Sequence, residues 1–462
     1  MSSINHKAAP FGFKDKLGYL FGDFGNDFTF LLSSSFLLKF YTDVMGVAPW
    51  VVGLIMTVAR FVDAFTDVTM GRICDKARTT GSGKFKPWIL RMCGPVAIAS
   101  FLIYQSSLSD LSMAFKIAWL AVTYILWGSV FYTSINIPYG SMASAITADP
   151  EGRGSLSTFR SMGSALAGLI VGAGVPLLAY DKVGDATVLN GTKFTIIAGV
   201  FSVFSVVCYL LCYFLCTERV RREHTEGEHG SVLSLLSRAL KNRALLSIIA
   251  ASVVMLLSQL TLQSMSNYIY PNYYGNVTAQ SVSTVVMVLS LFLAAAVAKP
   301  LARKFGKAEI SAVANLSAAG VSIFLFIFRP ASVWVYVALN AIAWIGLGVF
   351  TMVSWALITD VIDDSEIRHG VREDGSIYAL YSFARKLGQA AAAGISGGLL
   401  SLIGYSEDTA FLPSVVDGIY SISTLVPAIG FALLALILWL WYPLKRGRVM
   451  ENERILRERH GG

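Results

Sequence analysis

Two aspartates one helical turn apart, Asp63 and Asp67, interrupt an otherwise apolar stretch of the chain. Residues four apart share a helix face, so both carboxylates point the same way. Two carboxylates that are close in an apolar medium cannot both stay ionised unless a proton or a cation compensates them. Thr66 and Thr133 offer further oxygen ligands of the kind that sodium needs. The pattern predicts a cation or proton site, and the alternative is a static salt bridge from Arg60 that only ties helices together.

A second acidic pair, Asp23 and Asp27, repeats this one-turn spacing nearer the N-terminus. A carboxylate that accepts two hydrogen bonds suits the neighbouring hydroxyls of a sugar. We interpret Asp27 in this way. For Asp23 the preferred interpretation is that it caps or hydrates a glycine-rich bend at Gly22 and Gly25.

A polar stripe near the C-terminal end of the chain consists of Tyr378, Ser382, Lys386 and Gln389. These residues share one face of a predicted helix that is otherwise apolar. Lipid cannot solvate such a face, so the stripe lines either a helix contact or an aqueous cavity. Lys386 is the natural counter-charge to the acidic pair in the other half of the chain, either as a changing link or as a static salt bridge.

Long apolar helices must position these residues. Hydrophobic residues make up 55% of the chain and charged residues 14%, and the mean hydropathy is +0.61. The apolar blocks reach the roughly 20 residues that a helix needs to cross about 30 Å of hydrocarbon. The sequence predicts an all-α integral membrane protein with twelve transmembrane helices near residues 17–42, 48–72, 88–107, 113–142, 156–180, 194–216, 244–271, 279–302, 309–328, 333–358, 376–404 and 414–442.

The distribution of Lys and Arg predicts the orientation of these helices. Basic residues cluster at one side of the spans, while the opposite loops hold few, among them Lys116, Lys182 and Lys193. The positive-inside rule then places both termini in the cytoplasm, and the polar N-terminal segment does not resemble a secretory signal. We expect an inner-membrane protein with six-helix bundles at 1–216 and 244–442, a cytoplasmic linker at 217–243 and a cytoplasmic tail at 443–462.

Other classes of protein fit less well. The net charge of +8 follows from the positive-inside bias, and no basic soluble surface with interleaved aromatics predicts a nucleic-acid partner. The longest loop, 217–243, has no phosphate-cradling glycines, so an embedded enzyme is not expected. Cys208, Cys212 and Cys216 share a helix face and are interpreted as small packing residues.

The two sets of six spans indicate an internal repeat. The loop that begins at Gly71 and the loop that begins at Ala298 both place a small residue, then basic residues, then a Gly-Lys pair before the next span. Together with the count of six and six, this similarity indicates the major facilitator architecture.

Several motifs along nearly the whole chain resemble those of the glycoside–pentoside–hexuronide:cation symporters. This branch of the major facilitator superfamily includes melibiose permease and the glucuronide and xyloside permeases. The motifs are Tyr41-Thr-Asp43, Ala59-Arg-Phe-Val-Asp63-Ala-Phe-Thr-Asp67, Gly83-Lys-Phe-Lys-Pro-Trp88, Asn136-Ile-Pro-Tyr-Gly-Ser141, Trp355-Ala-Leu-Ile-Thr-Asp360 and Arg385-Lys-Leu-Gly-Gln-Ala390.

The resemblance implies cation-coupled sugar uptake by alternating access. It places Asp63 and Asp67 on the family's cation-site carboxylates, which would bind the metal if the cation is sodium, with Thr66 and Thr133 as neighbouring oxygens. It places Asp27 on a carboxylate that binds sugar hydroxyls in melibiose permease, and Arg160 and Lys386 on positively charged positions near the sugar and cation sites. We predict that the sugar site also includes Asn136, Trp355, Tyr378 and Ser382.

Three departures from melibiose permease bear on the substrate. That protein has an aspartate where this chain has Asn136, a tryptophan where it has Gly140 and an asparagine where it has Thr66. An α-galactoside is therefore disfavoured, and a xyloside or other pentoside, a glucuronide or another β-glycoside is favoured. No histidine lies in a predicted span, which excludes a histidine proton relay but leaves sodium and proton coupling both open.

The sequence therefore predicts a monomeric secondary transporter in the lipid bilayer that moves a small-molecule glycoside together with sodium or a proton. No cofactor beyond the co-transported ion is expected. An uncoupled sugar facilitator and a sugar exchanger are the alternatives, and they differ in not depending on an ion gradient.

Overall fold

The structure is a computed structural model that describes residues 10–220, 242–369 and 374–460. These residues form two compact units that divide at Glu226. The first unit contains six long helices: α1 Phe13–Asp43, α2 Pro49–Lys76, α3 Lys86–Ile103, α4 Met113–Ile146, α5 Glu151–Ala179 and α6 Gly191–Leu215. Most of the predicted linker, residues 221–241, lies outside the described part of the chain.

The second unit also contains six long helices, followed by a shorter one. They are α7 Arg243–Tyr273, α8 Val277–Phe305, α9 Lys307–Phe328, α10 Val333–His369, α11 Asp374–Leu402, α12 Pro413–Trp441 and α13 Arg446–His460. The predicted spans match these bounds closely except at α10, which was expected to end at residue 358. It continues because Asp360 and Asp364, which interrupt the apolar pattern, find partners: Lys307 Nζ lies 2.5 Å from Asp360, and Asn452 donates to Asp364 over 3.1 Å.

Two elements were not expected. The predicted charged tail contains the helix α13. A short antiparallel hairpin, β1 Tyr180–Val183 and β2 Ala186–Leu189, connects α5 to α6 and turns at Gly184, whose φ is +62°. The all-α class is confirmed, with this hairpin as the exception within the described residues.

Nine helices of the described chain are long and apolar enough to cross a membrane. The helices α1, α2 and α11 are not among them, and each of the three carries several ionisable residues. Ionisable groups lower the mean hydropathy of a span without changing its length. The count of twelve crossings therefore stays a prediction.

The helix packing repeats from one unit to the other. In the first unit α1 packs against α5 and α6, α3 packs against α4 and α6, and α2 packs against α4. In the second unit α7 packs against α11 and α12, α9 packs against α10 and α12, and α8 packs against α10. Adding six to each helix number converts one set into the other, which supports the internal repeat expected from the loops.

Glycines of α1 bring this helix close to the cysteines of α6. A Cβ atom on Gly22 would lie 2.2 Å from the Tyr139 ring and 2.9 Å from Cys212 Sγ, and one on Gly25 would lie 2.8 Å from Cys208 Cβ. All five cysteines are free and buried, which confirms that the cysteines of α6 are packing residues. The bend expected at these glycines is wrong, because α1 is one continuous helix and the glycines serve close packing.

Candidate functional site

The acidic pair of α2 faces two hydroxyls of α4. Ser129 Oγ donates to Asp63 Oδ1 over 2.5 Å, and Thr133 Oγ1 donates to Asp67 Oδ1 over 2.9 Å. Both pairs of residues are spaced by one helical turn, so the contacts form two parallel rungs between the helices. We call these four residues the α2–α4 ladder. It supplies two carboxylates and two hydroxyls at one place in the first unit.

Thr66, which was expected to join this oxygen cluster, is placed differently. Its hydroxyl donates to the backbone carbonyls of Val62, 3.3 Å away, and Asp63, 3.2 Å away. This is the usual way for a threonine inside a helix to satisfy its hydroxyl group. Ser129 was not anticipated from the sequence and occupies the position beside Asp63 instead.

The segment of α4 that forms the ladder is wound as a π-helix from Leu126 to Tyr132. Thr133, the residue that follows it, donates from its backbone N–H to Gly128 O, and its hydroxyl lies 3.2 Å from the same oxygen. Wider turns of this kind occur often at functional sites, because they shift side chains relative to a regular helix. The carbonyl of Gly128 thereby lies beside the Thr133 hydroxyl that contacts Asp67.

Arg60 compensates part of the negative charge. Its Nη1 lies 3.3 Å from Asp63 Oδ2, and its guanidinium lies 5.1 Å from the centre of the Phe30 ring. The two aspartates and this arginine together carry a formal charge of minus one.

A second ladder joins α1 to α5. Arg160 Nε donates to Asp23 Oδ1 over 2.9 Å, and Ser164 Oγ donates to Asp27 Oδ2. Again both pairs are one turn apart, so the arrangement repeats that of the α2–α4 ladder. We call these residues the α1–α5 ladder. Ser164 was not anticipated, and its spacing from Arg160 is the signal that could have found it.

Asp23 is the residue whose interpretation changes most. Only 5% of it is exposed, and it binds Arg160 rather than capping a bend. The Arg160 guanidinium lies 5.4 Å from the centre of the Tyr139 ring, which stacks on Tyr19 at 4.6 Å. The ion pair is therefore covered on one side by aromatic surface.

Asn136 is held by a chain of hydrogen bonds that begins on α6. Tyr209 donates its hydroxyl to Asn26 Oδ1 over 2.6 Å, and Asn26 Nδ2 donates to Asn136 Oδ1 over 2.7 Å. Asp27 thus lies on α1, and Asn136 and Arg160 contact the same helix through Asn26 and Asp23. Their common role in a sugar site stays a prediction. Asn26 and Tyr209 were not anticipated.

The second unit places Trp355 beside α11. Its ring lies edge-on to the Tyr381 ring with centres 5.1 Å apart, and the Arg385 guanidinium lies 5.6 Å from the Trp355 ring and 5.7 Å from the Tyr381 ring. Ser252 donates to the Tyr381 hydroxyl over 2.7 Å. Trp355 is 40% exposed.

The polar stripe of α11 is placed only in part. Ser382 is half-buried and Lys386 is exposed, on the helix that also carries Tyr381 and Arg385. The side chain of Tyr378 lies outside the described residues. The roles of these residues at a sugar site stay predictions.

A family model described as MFS/sugar transport protein matches residues 18–446 of the chain. The chain belongs to this family. The transporter is 33% identical over 436 residues to the glucuronide carrier protein homolog of Escherichia coli (strain K12), covering 93% of this chain and 92% of that protein. With the same coverage it is 31% identical to the uncharacterized symporter YjmB of Bacillus subtilis (strain 168). It is 28% identical over 441 residues to the isoprimeverose transporter of Lactiplantibacillus pentosus, covering 95% and 90% of the two chains.

Solved structures show the same fold. A bacterial homolog of the human lysosomal transporter Spinster matches the transporter with a TM-score of 0.67 at 12% identity, over 95% of this chain and 97% of that one. A D-xylose–proton symporter matches with a TM-score of 0.63 at 14% identity, over 94% and 98%. The expected resemblance to the glycoside–pentoside–hexuronide:cation symporters is confirmed. The chain is a multi-pass membrane transporter of the major facilitator superfamily and not an enzyme.

Proposed function

We propose that the transporter carries a glycoside into the cell together with a sodium ion or a proton, by alternating access. The substrate is a pentoside such as a xyloside, or a hexuronide. The protein acts as a monomer in the inner membrane, with twelve spans and both termini in the cytoplasm. The names of its relatives, which include a glucuronide carrier homolog, an isoprimeverose transporter and a putative glycoside/cation symporter, support this class of substrate.

The observation that carries the proposal is the α2–α4 ladder, which brings two carboxylates and two hydroxyls to one place. Sodium is bound by oxygen ligands, and the ladder provides carboxylates at Asp63 and Asp67 with hydroxyls at Ser129 and Thr133. A proton would instead neutralise one of the two carboxylates. In both cases the ligand carries a single positive charge, which adds to the compensation that Arg60 gives to Asp63.

The α1–α5 ladder supplies partners for the sugar. Its carboxylates and the amide of Asn136 accept or donate hydrogen bonds of the kind that sugar hydroxyls make. Asp27 is held by Ser164, and Asp23 by Arg160. A sugar hydroxyl that approached would find these groups already oriented, which reduces the cost of ordering them on binding.

Coupling follows from the cost of keeping charge away from water. A transporter that closes around its substrate removes water from the ladders, and an uncompensated charge opposes that closure. A bound cation compensates negative charge in the α2–α4 ladder, and the sugar satisfies the polar groups of the α1–α5 ladder. Closure is then favoured when both are bound, and each ligand increases the affinity for the other by the same factor.

Uptake measured in membrane vesicles tests the proposal. A panel of radiolabelled xylosides, glucuronides and galactosides would be offered with an imposed sodium gradient, a proton gradient or neither. We expect one class of glycoside to accumulate uphill with one gradient. Asp63→Cys and Asp67→Cys should abolish uphill accumulation while exchange of sugar down its gradient persists. Asp185→Cys, which removes an exposed aspartate of the hairpin, is the matched control and should transport normally.

Two outcomes would contradict the proposal. Unchanged uphill uptake in both aspartate variants would remove the ladder from coupling. Sugar that only equilibrates under every gradient would instead favour an uncoupled facilitator or a sugar exchanger.

A further inference from the structure

A cavity of about 640 Å³ lies in the second unit, between the end of α8, the start of α9, part of α10 and the start of α13. The last turns of α8 form one wall, α10 from Met352 to Asp360 forms the second, and the first turns of α13 form the third. This cavity is separate from both ladders, which belong to the first unit. Neither the proposed transport site nor the sequence motifs used above assign a ligand to it.

The cavity is positively charged. Four basic and two acidic residues line it, which gives a net charge of +2: Lys299, Arg303, Lys307, Arg446, Asp360 and Glu453. Lys307 and Asp360 bind each other with 2.5 Å between Nζ and Oδ1. The excess positive charge therefore comes from Lys299, Arg303 and Arg446, whose side chains are exposed at its rim.

The rest of the lining is apolar and small. Ala295, Ala298 and Ala302 follow one another along α8 at intervals of three and four residues, and Met352 and Met450 face the same cavity. Small side chains on α8 leave room beside the helix, and methionine adapts its shape to a neighbouring chain. A ligand that fits must carry negative charge at one end and apolar chains at the other.

The cavity lies at the level of the membrane surface. It begins at the end of α8, whose Phe292 and Leu293 are exposed as lipid-facing side chains are. Trp439 and Trp441 at the end of α12 are 58% and 39% exposed, next to the residues that lead into α13. Exposed tryptophans of this kind mark the boundary between hydrocarbon and headgroups.

Contacts with α9 and α10 hold α13, which forms the third wall, in place. Arg446 donates its backbone N–H to Glu309 over 2.9 Å, and a Cβ atom on Gly306 would lie 3.0 Å from Arg446 Cβ. Asn452 donates to the buried Asp364 over 3.1 Å. The cavity is thus a formed feature of the fold rather than a gap beside a loose tail.

We propose that this cavity binds the headgroup of an acidic phospholipid. The phosphate lies between Lys299, Arg303 and Arg446, and the first carbons of the acyl chains lie along the alanines of α8. An acidic lipid fits better than a zwitterionic one, because the cavity carries a net positive charge. Each basic residue near the membrane surface adds to the affinity for an anionic lipid. Basic pockets at helix ends are known as sites for such headgroups.

Lipid binding to the full-length transporter, purified in detergent, tests this proposal. Native mass spectrometry would count bound dioleoylphosphatidylglycerol during a titration, with dioleoylphosphatidylcholine, dioleoylphosphatidylethanolamine and free glycerol 1-phosphate as parallel arms. We expect saturable binding of phosphatidylglycerol that the variant Lys299→Gln/Arg303→Gln weakens by about thirtyfold. The variant Lys304→Gln/Arg78→Gln removes one lysine and one arginine outside the cavity and should change binding by less than about twofold.

A second variant separates the cavity from the general charge of the surface. Ala295→Phe fills the apolar part without changing any charge, and we expect it to weaken phosphatidylglycerol binding by about tenfold or more. Equal losses in the two charge variants would show a general surface field and overturn the proposal. Equal binding of a zwitterionic lipid would also overturn the proposal. Full competition by glycerol 1-phosphate at the same concentration would overturn it too, because it would indicate that the cavity binds a soluble anion.

Discussion

Two arginines within the helices of the first unit and Arg385 within α11 of the second unit have different partners. In the first unit Arg60 and Arg160 each contact a carboxylate, on Asp63 and Asp23 respectively. In the second unit Arg385 lies over the rings of Trp355 and Tyr381. Across residues 10–220, 242–369 and 374–460, no carboxylate comes within ion-pair distance of Arg385, and its buried Nη1 has no hydrogen-bond partner.

This difference teaches which unit can respond to an added cation. A carboxylate that already shares a partner can exchange it or accept a second one, so its cluster changes charge state when an ion arrives. Aromatic rings do not titrate, and they stabilise a cation only through their electron-rich faces. The comparison supports the proposed ion site in the first unit, and it leaves Arg385 of the second unit as a fixed positive charge on an aromatic surface.

The largest expected effect is the loss of Arg160. Arg160→Gln leaves Asp23 buried without a counter-charge, and breaking a fully buried pair costs about 3–5 kcal/mol. Because the Arg160 side chain is 40% exposed, we expect a loss of about 2 kcal/mol in the free energy of unfolding. Thermal unfolding in detergent would measure it. Adding Asp23→Asn should restore most of the loss, and a double variant as unstable as the sum of the singles would contradict the pairing.

The next effect concerns the ion. Thr133→Val keeps the shape of the side chain but removes the hydroxyl that donates to Asp67. A hydrogen bond to a charged group contributes about 1.5–3 kcal/mol, so the cation concentration for half-maximal uptake should rise by about tenfold or more. Thr158→Val on the exposed face of α5 is the control. The proposed ion site in the first unit is contradicted if Thr133→Val keeps the native cation dependence, as its control Thr158→Val should.

A smaller effect is expected at Arg385. Arg385→Met removes a cation from two rings but strands no carboxylate, so the free energy of unfolding should fall by only about 1 kcal/mol. Half-maximal cation concentration should stay unchanged, in contrast to Thr133→Val. The same thermal and uptake assays apply, with Arg78→Met as the control at an exposed site. A loss as large as that of Arg160→Gln would erase the distinction between the units.

The smallest effect lies outside the membrane, where water screens the charges. Hydrogen bonds from Lys193 and Asn190 lower the pKa of Asp181 on the hairpin below its usual value. Because the pKa is lower in the folded state, ionised Asp181 stabilises the folded protein at pH values above its unfolded pKa of about 3.9. This stabilisation is lost as the pH falls through the folded pKa. The melting temperature of Asp181→Asn should therefore lie slightly below that of the native protein at pH 6, and the two should converge at acidic pH. A gap that widens on acidification would contradict this sign.

Much of the fold follows from the sequence because a membrane span needs a minimum apolar length. That requirement predicts the bounds of most helices but not the last turns of α10, where Asp360 and Asp364 are stabilised by partners from α9 and α13. The hairpin has a readable signal, since Gly184-Asp185 lies between short strands with β-branched residues. The tail helix α13 has no apolar stripe to reveal it.

In each contact of the two ladders, the sequence singles out the aspartate. Spacing alone identifies Asp63 and Asp67 as neighbours on one face, and the same is true of Asp23 and Asp27. The hydroxyls of Ser129 and Ser164 lie one turn from Thr133 and Arg160, which is a weak signal in the sequence. That they face the aspartates depends on which helices pack together, and a single sequence does not contain that information. Asp23 was misread for the same reason, because its partner Arg160 is far away along the chain.

The burial of all five cysteines has a practical consequence for labelling experiments. Buried thiols react slowly with maleimides, because a thiol must be reached and deprotonated before it can attack. The native chain can therefore serve as the background for single introduced cysteines, with no need to replace Cys208 or Cys212, whose side chains fill the contact with α1. A spectroscopic probe placed on each unit in this background would report their relative movement during a transport cycle.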